Sequence, residues 1–204
     1  MLEQTVAGAI VGAAKLLTGV QARWVGCRPV GGPRVYIANH TSHLDFILVW
    51  ASLPADLRPR ARPVAGTDYW EKDALRRYLI HQVFRGVLVD RGGTSHHEDT
   101  LAPLVEALGW GESLIFFPEG TRNLGDEMLP FKSGIFHLAQ RCPEAEIIPV
   151  WINNLARVLP KGQVFPVPLL CTLAFGAPLR LEAGEEKAAF LSRARQAVLD
   201  LGKK

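Results

Sequence analysis

Short apolar runs recur along the chain, and each stops abruptly at polar residues. Val35-Tyr36-Ile37-Ala38 gives way to Asn39, and Ser113-Leu114-Ile115-Phe116-Phe117 to Pro118-Glu119. Val64-Ala65-Gly66, Gly86 to Arg91, Ile147 to Ile152 and Leu169 to Phe175 are the other runs. Runs this short, bounded by turn residues, predict buried strands. Between them the apolar spacing becomes helical. Helices are predicted over His43–Ser52, Tyr69–Phe84, Leu101–Leu108, Phe131–Arg141 and Glu185–Leu201. In the second of these, Leu75, Leu79 and Val83 share one face and Lys72, Arg76 and Arg77 another. Strands alternating with helices, without an internal repeat, predict a single α/β domain. Its sheet is largely parallel or mixed and flanked by helices.

Residues 3–22 also read as helical, with Val6, Ile10, Ala13, Leu17 and Val20 at helical spacing. Gly8, Gly12 and Gly19 weaken such a helix in water but permit close packing. The segment either packs on the domain's own core or lies in a membrane interface, where the Arg23–Trp24 pair suits the water–lipid boundary. The predicted organisation is therefore an N-terminal, membrane-associating helical segment over 1–30 and an α/β domain over 31–204. Val6–Ala14 is interrupted by Lys15, well short of the roughly 20 apolar residues a spanning helix needs. With no basic leader before it, a signal peptide is not expected. Residues 54–63 carry Arg58, Arg60 and Arg62 around Pro59 and Pro63, which predicts either a solvated loop or a basic lip for phosphate.

Composition narrows the classes. The 204 residues are 48% hydrophobic and 21% charged, an ordinary globular balance. A net charge of +3 is too small to argue for nucleic acid and suits a face that meets anionic lipid. Cys27, Cys142 and Cys171 are odd in number and widely spaced, so reduced thiols in a cytosolic setting are expected.

Chemistry concentrates where the first strong strand meets a helix, at Asn39-His40-Thr41-Ser42-His43-Leu44-Asp45. A histidine and an aspartate five apart are rotated by about 500° on a helix and share no face. They meet only if His40 precedes the helix and Asp45 sits in its first turn, with Ser42 a plausible cap. Asp45 then reads either as half of a capping box or as the group that orients a general base. His40 alternatively reads as a core histidine, and His43 is the rival base. His40, Arg91, Glu119 to Arg122 and the residues from Pro149 onwards stand at strand ends, so a parallel sheet brings them to one edge. His96 and His97 are adjacent, cannot face the same way and read as surface residues.

Four stretches together resemble one family. Asn39-His40 with Asp45, Gly86 to Arg91, Phe117-Pro118-Glu119-Gly120-Thr121-Arg122 and Ile148-Pro149-Val150 resemble the four motifs of the glycerolipid acyltransferase family, of the lysophosphatidic acid acyltransferase type. They stand in the family's order and cover about residues 35 to 152. The resemblance implies acyl transfer from an acyl thioester, on coenzyme A or acyl carrier protein, to the hydroxyl of a lysophospholipid. His40 is then the general base and Asp45 its orienter. Arg91 and Arg122 hold the acceptor's phosphate, and Glu119, Gly120 and Thr121 shape that pocket. No cofactor or metal is implied. The implied setting is the cytoplasmic face of the inner or plasma membrane, with the enzyme peripheral. Other acceptors, such as an amino-acid-based lyso-lipid, fit the same residues. A metal-dependent hydrolase on His40, His43 and Asp45 and a non-catalytic lipid-binding module are the readings from other classes.

Overall fold

All five residues of Arg34–Ala38 are buried, which places this strand between two covered faces. The computed structural model describes residues 1–42, 44–90, 100–123, 125, 127–153 and 170–203. His43, Arg91, His96, His97 and Asp126 lie outside them. Among the described residues the strands are β1 (Gln21–Trp24), β2 (Arg34–Ala38), β3 (Ala61–Gly66), β4 (Val87–Val89), β5 (Ser113–Phe116), β6 (Glu146–Asn153) and β7 (Thr172–Phe175). They form one sheet in the order β1-β7-β6-β2-β5-β3-β4. Only the β6–β7 pair is antiparallel. The helices are α1 (Leu2–Thr18), α2 (Asp45–Ser52), α3 (Thr67–Trp70), α4 (Ala74–Tyr78), α5 (Ala102–Gly109), α6 (Gly134–Arg141) and α7 (Lys187–Gly202).

The alternation of a pleated strand divides β2 between two cores. Val35 and Ile37 pack with Leu104, Ile135 and Phe190, under α5, α6 and α7. Tyr36 and Ala38 pack with Leu48, Trp50 and Phe175, on the side of α1 and α2. Each fully buried side chain of this size contributes about 1.5–3 kcal/mol. At the far edge from the site, the Arg34 guanidinium binds Glu146 at 2.8 and 3.1 Å. The mixed α/β architecture read from the sequence is the one observed, and the strand directions put the loops after β2, β3, β4 and β5 on one edge.

Three expectations about local structure are corrected. The first helix stops at Thr18, because Gly19 turns left-handed at φ 54° and closes it with an N–H bond to Lys15. The chain then enters the sheet as β1, and Trp24 stacks on Phe175 at 4.0 Å instead of standing in a free boundary position. The helix expected over 69–84 is broken. Asp73 accepts from the Arg76 N–H at 2.9 Å and starts a new helix, and Leu79–Val83 winds as a π turn. The third concerns the arginines of 54–63. Arg58 donates to Trp50 and Leu53 carbonyls at 3.2 and 2.9 Å, closing the end of α2. Arg62 pairs with Glu112 at 2.6 Å, so neither forms a phosphate lip.

On α1, Val6, Ile10 and Ala14 pack toward the core, while Leu16 is 85% exposed. Gly8 and Gly12 face open space and serve no close packing. Among the described residues no helix is long and apolar enough to cross a membrane.

Candidate active site

Where β2 ends, a side chain continues its ladder. The Asn39 amide donates to the Ile152 carbonyl at 3.1 Å and accepts the Ile152 N–H at 2.8 Å. The main chain is thereby released to turn while Asn39 stays buried. His40 is then gripped from both sides by the loop that follows β5. Its N–H donates to Glu119 Oε1 at 2.8 Å, and its carbonyl accepts from the Asn123 N–H at 2.7 Å. The ring stacks on Phe117 at 4.2 Å.

Asp45 opens α2 and is fully buried. Its Oδ2 accepts from His40 Nδ1 at 2.8 Å, from the Thr41 N–H at 2.6 Å and from the Ser42 N–H at 2.8 Å. One oxygen therefore both closes the loop and orients the imidazole. An acceptor at Nδ1 puts the ring proton there and leaves Nε2 as the nitrogen able to take one. Ser42 does not cap the helix: its Oγ accepts from the Leu44 N–H at 3.2 Å, one residue before α2. Asp45 Oδ1 is buried without a hydrogen-bond partner among the described residues.

Glu119 supports the site from beneath. It is 2% exposed, and its second oxygen accepts the Leu129 N–H at 2.9 Å. With both oxygens engaged by main-chain donors, it is not tied to Arg122. Glu119→Gln turns an amide donor toward one of these N–H groups. It is expected to destabilise the fold by about 1–3 kcal/mol, lowering the melting temperature by roughly 3–10 °C in calorimetry. An unchanged melting temperature would contradict this role.

Gly120 is left-handed at φ 70° and its N–H donates to the Phe117 carbonyl at 3.0 Å, so that amide is spent within the turn. Its missing side chain makes room for another residue. A Cβ there would lie 2.8 Å from Lys132 Cδ and 3.0 Å from Lys132 Nζ. Thr121 and Arg122 are exposed and line a cavity of about 250 Å³ with His40, Phe46, Tyr69 and Trp70. A second cavity, of about 420 Å³, is lined by His40, Gly120 and Lys132 and by apolar Val89, Leu104 and Phe116. His40 thus stands where two cavities meet.

The structure brings His40, Asp45, Glu119, Gly120, Thr121 and Arg122 to one edge of the sheet. Arg91 lies outside the described residues, although β4 leads toward the same edge. Pro149 is buried within β6, in register with Ile37. Asn39 entered the sequence reading only as part of the first motif, with no role given to it, and Asn123 and Lys132 were not singled out. Phe131-Lys132-Ser133-Gly134 read only as a helix opening, and only the approach of Gly120 gives Lys132 a place in the site. The three thiols are free, and burial pushes each of them up, for Cys171 with help from the Asp45 carboxylate. None is prepared as a thiolate nucleophile. Among the described residues no three His, Cys, Asp or Glu side chains converge as a metal site.

Comparison with known proteins gives a consistent picture. The family model "Acyltransferase" matches residues 20–153. The 1-acyl-sn-glycerol-3-phosphate acyltransferase alpha of Mus musculus is 33% identical over 146 residues, covering 69% of this chain and 48% of that protein. The 1-acyl-sn-glycerol-3-phosphate acyltransferase of Saccharomyces cerevisiae is 32% identical over 160 residues, covering 74% and 49%. This chain therefore spans about half the length of the curated relatives it matches. Among solved structures, the 1-acyl-sn-glycerophosphate (LPA) acyltransferase PlsC from Thermotoga maritima superposes with a TM-score of 0.74 at 19% identity, covering 98% of this chain and 80% of that one. At that identity the likeness concerns the fold.

Proposed function

The chain belongs to the acyltransferase family, and on that premise we propose that it transfers a fatty acyl group from a thioester to the free hydroxyl of a lysophospholipid, converting lysophosphatidic acid to phosphatidic acid. The observation that carries this reading is the pairing of buried Asp45 with half-buried His40 at the junction of two cavities, with Nε2 left to take a proton. A hydroxyl placed at Nε2 loses its proton to His40 as it attacks the thioester carbonyl. Asp45 stabilises the imidazolium that results. The acyl group passes directly to the acceptor, and no side chain of the enzyme carries it. The donor is acyl-coenzyme A or acyl carrier protein, and no cofactor enters the step.

Arg122 and Arg91 hold the acceptor phosphate, which a guanidinium binds through two parallel hydrogen bonds. Exposed Arg122 in the first cavity supports this, as does the engagement of Glu119 elsewhere. Arg122→Ala is expected to raise the Michaelis constant for lysophosphatidic acid about 10- to 100-fold with a smaller change in kcat, the loss of one charged hydrogen-bonding partner. An unaltered Michaelis constant would remove Arg122 from the phosphate site. The relatives named above are 1-acyl-sn-glycerol-3-phosphate acyltransferases, which supports that acceptor over an amino-acid-based lyso-lipid.

The enzyme works from the cytoplasmic face of the membrane as a peripheral protein. Exposed Leu2, Leu16 and Leu17 along α1 support membrane contact, and free cysteines support a reducing compartment. The test of the whole reading is turnover of oleoyl-coenzyme A with a panel of lysophospholipids presented in anionic vesicles. Lysophosphatidic acid is the expected best acceptor, and failure to acylate any member of the panel would sink the reading.

A further inference from the structure

Attack on a thioester carbonyl creates an oxyanion, and the donors around His40 are largely spent. The main-chain N–H groups of His40, Thr41 and Ser42 go to Glu119 and Asp45. Those of Gly120 and Asn123 go to the Phe117 and His40 carbonyls. Thr121 and Arg122 line the first cavity. In the second cavity, among the described residues, Lys132 is the lysine or arginine that accompanies His40, and Asp90, Thr100 and His137 belong to the same lining.

Its placement is built, although the side chain is exposed. The Lys132 N–H donates to the Pro118 carbonyl at 2.8 Å, tying the residue to the turn that grips His40. Its stem then runs over the bare Cα of Gly120, where any side chain would meet Cδ, Cε and Nζ at 2.8 to 3.0 Å. Lys132 has no ion-pair partner among the described residues. The apolar wall of Val89, Leu101, Leu104 and Phe116 beyond it suits a hydrocarbon chain, so a thioester carbonyl belongs at the His40–Lys132 end of this cavity.

We propose that Lys132 is a catalytic residue of this site, its ammonium receiving the oxyanion formed on the acyl thioester. The inference rests on the acyltransferase reading above. The acceptor oxygen forms its bond to the carbonyl carbon while His40 Nε2 takes the hydroxyl proton. The carbonyl π electrons move to oxygen, and Lys132 balances that charge. The electrons then return, the carbon–sulfur bond breaks, and the departing thiolate takes the proton from His40. No oxidant, reductant or further reactant is needed. Gly120 leaves the lysine stem this path, and its left-handed φ of 70° itself disfavours a side chain there.

The test uses the full chain with oleoyl-coenzyme A and lysophosphatidic acid vesicles. Lys132→Met is expected to lower kcat about 100-fold, the range for removing one oxyanion donor, with the Michaelis constant for the acceptor within about twofold. Lys132→Arg keeps the charge and should stay within about tenfold of wild type, which also guards against misfolding of the methionine variant. Lys132→Cys treated with bromoethylamine, which restores an ammonium of similar reach, should regain at least about tenfold over the untreated variant, measured beside treated wild type. A kcat for Lys132→Met close to wild type overturns the proposal, as does alkylation without rescue. A loss confined to the acceptor's Michaelis constant also overturns it and makes Lys132 a headgroup ligand. If wild type itself acylates no lysophospholipid, the acyltransferase reading has failed, not this one alone.

Discussion

His40→Ala is expected to lower kcat for acyl transfer by about 10²–10⁴-fold, the contribution of a positioned general base. The fold should survive it. The grips on His40 run through its backbone, to Glu119 Oε1 and from the Asn123 N–H, and alanine keeps both. Asp45 Oδ2 loses one of three donors and keeps the Thr41 and Ser42 N–H groups. The ring's stacking on Phe117 is the main packing loss. Initial rates with oleoyl-coenzyme A and lysophosphatidic acid, read beside a melting curve, check both halves. Activity within about threefold of wild type would end the general-base assignment.

Asp45→Asn carries the second large effect, and it separates two roles that one oxygen combines. Asparagine is nearly the same size, and its carbonyl oxygen can still accept from Thr41 and Ser42. If Asp45 were only the staple of this loop, the folded enzyme would keep its rate. If it orients His40, the neutral amide no longer stabilises the imidazolium and the ring is free to take the wrong tautomer. A loss of about 10²–10⁴ in kcat is then expected, comparable to the loss when other histidine bases lose their carboxylate. The measurement is kcat per folded molecule, with the folded fraction taken from the denaturation curve under assay conditions. The 2.8 Å contact between Asp45 Oδ2 and His40 Nδ1 argues for the second role, since a staple for the loop has no need of the imidazole.

Several features were legible in the order of residues alone. Apolar runs alternating with helical spacing sufficed for an α/β domain, because strands buried on both faces are apolar along most of their length, as β2 is from Val35 to Ala38. The five-residue spacing of His40 and Asp45 already required a histidine before the helix and an aspartate in its first turn. That follows from helical rotation, a local property. The motif from Phe117 to Arg122 stands out for a similar reason: its residues are contiguous, so their association needs no fold.

What the sequence left open are pairings between distant segments. The capping-box reading anticipated the bond from the Ser42 N–H to Asp45, but sequence carries no signal that the Ser42 hydroxyl would turn to the Leu44 N–H and that Asp45 would also take the Thr41 N–H. Glu119 read as a pocket residue. Only the approach of the loop after β5 shows both of its oxygens committed to main-chain donors of residues 40 and 129. Arg58 and Arg62 read as part of a solvated loop or of a basic lip until the ends of α2 and β5 came close enough to use them. Lys132 could not be found at all, since its claim depends on the space left by Gly120 and on a cavity shared with His40. Spacing along the chain determined which elements form and which residues end them. The tertiary structure decided which donor meets which acceptor, because hydrogen bonds act over about 3 Å between atoms that the chain separates by tens of residues.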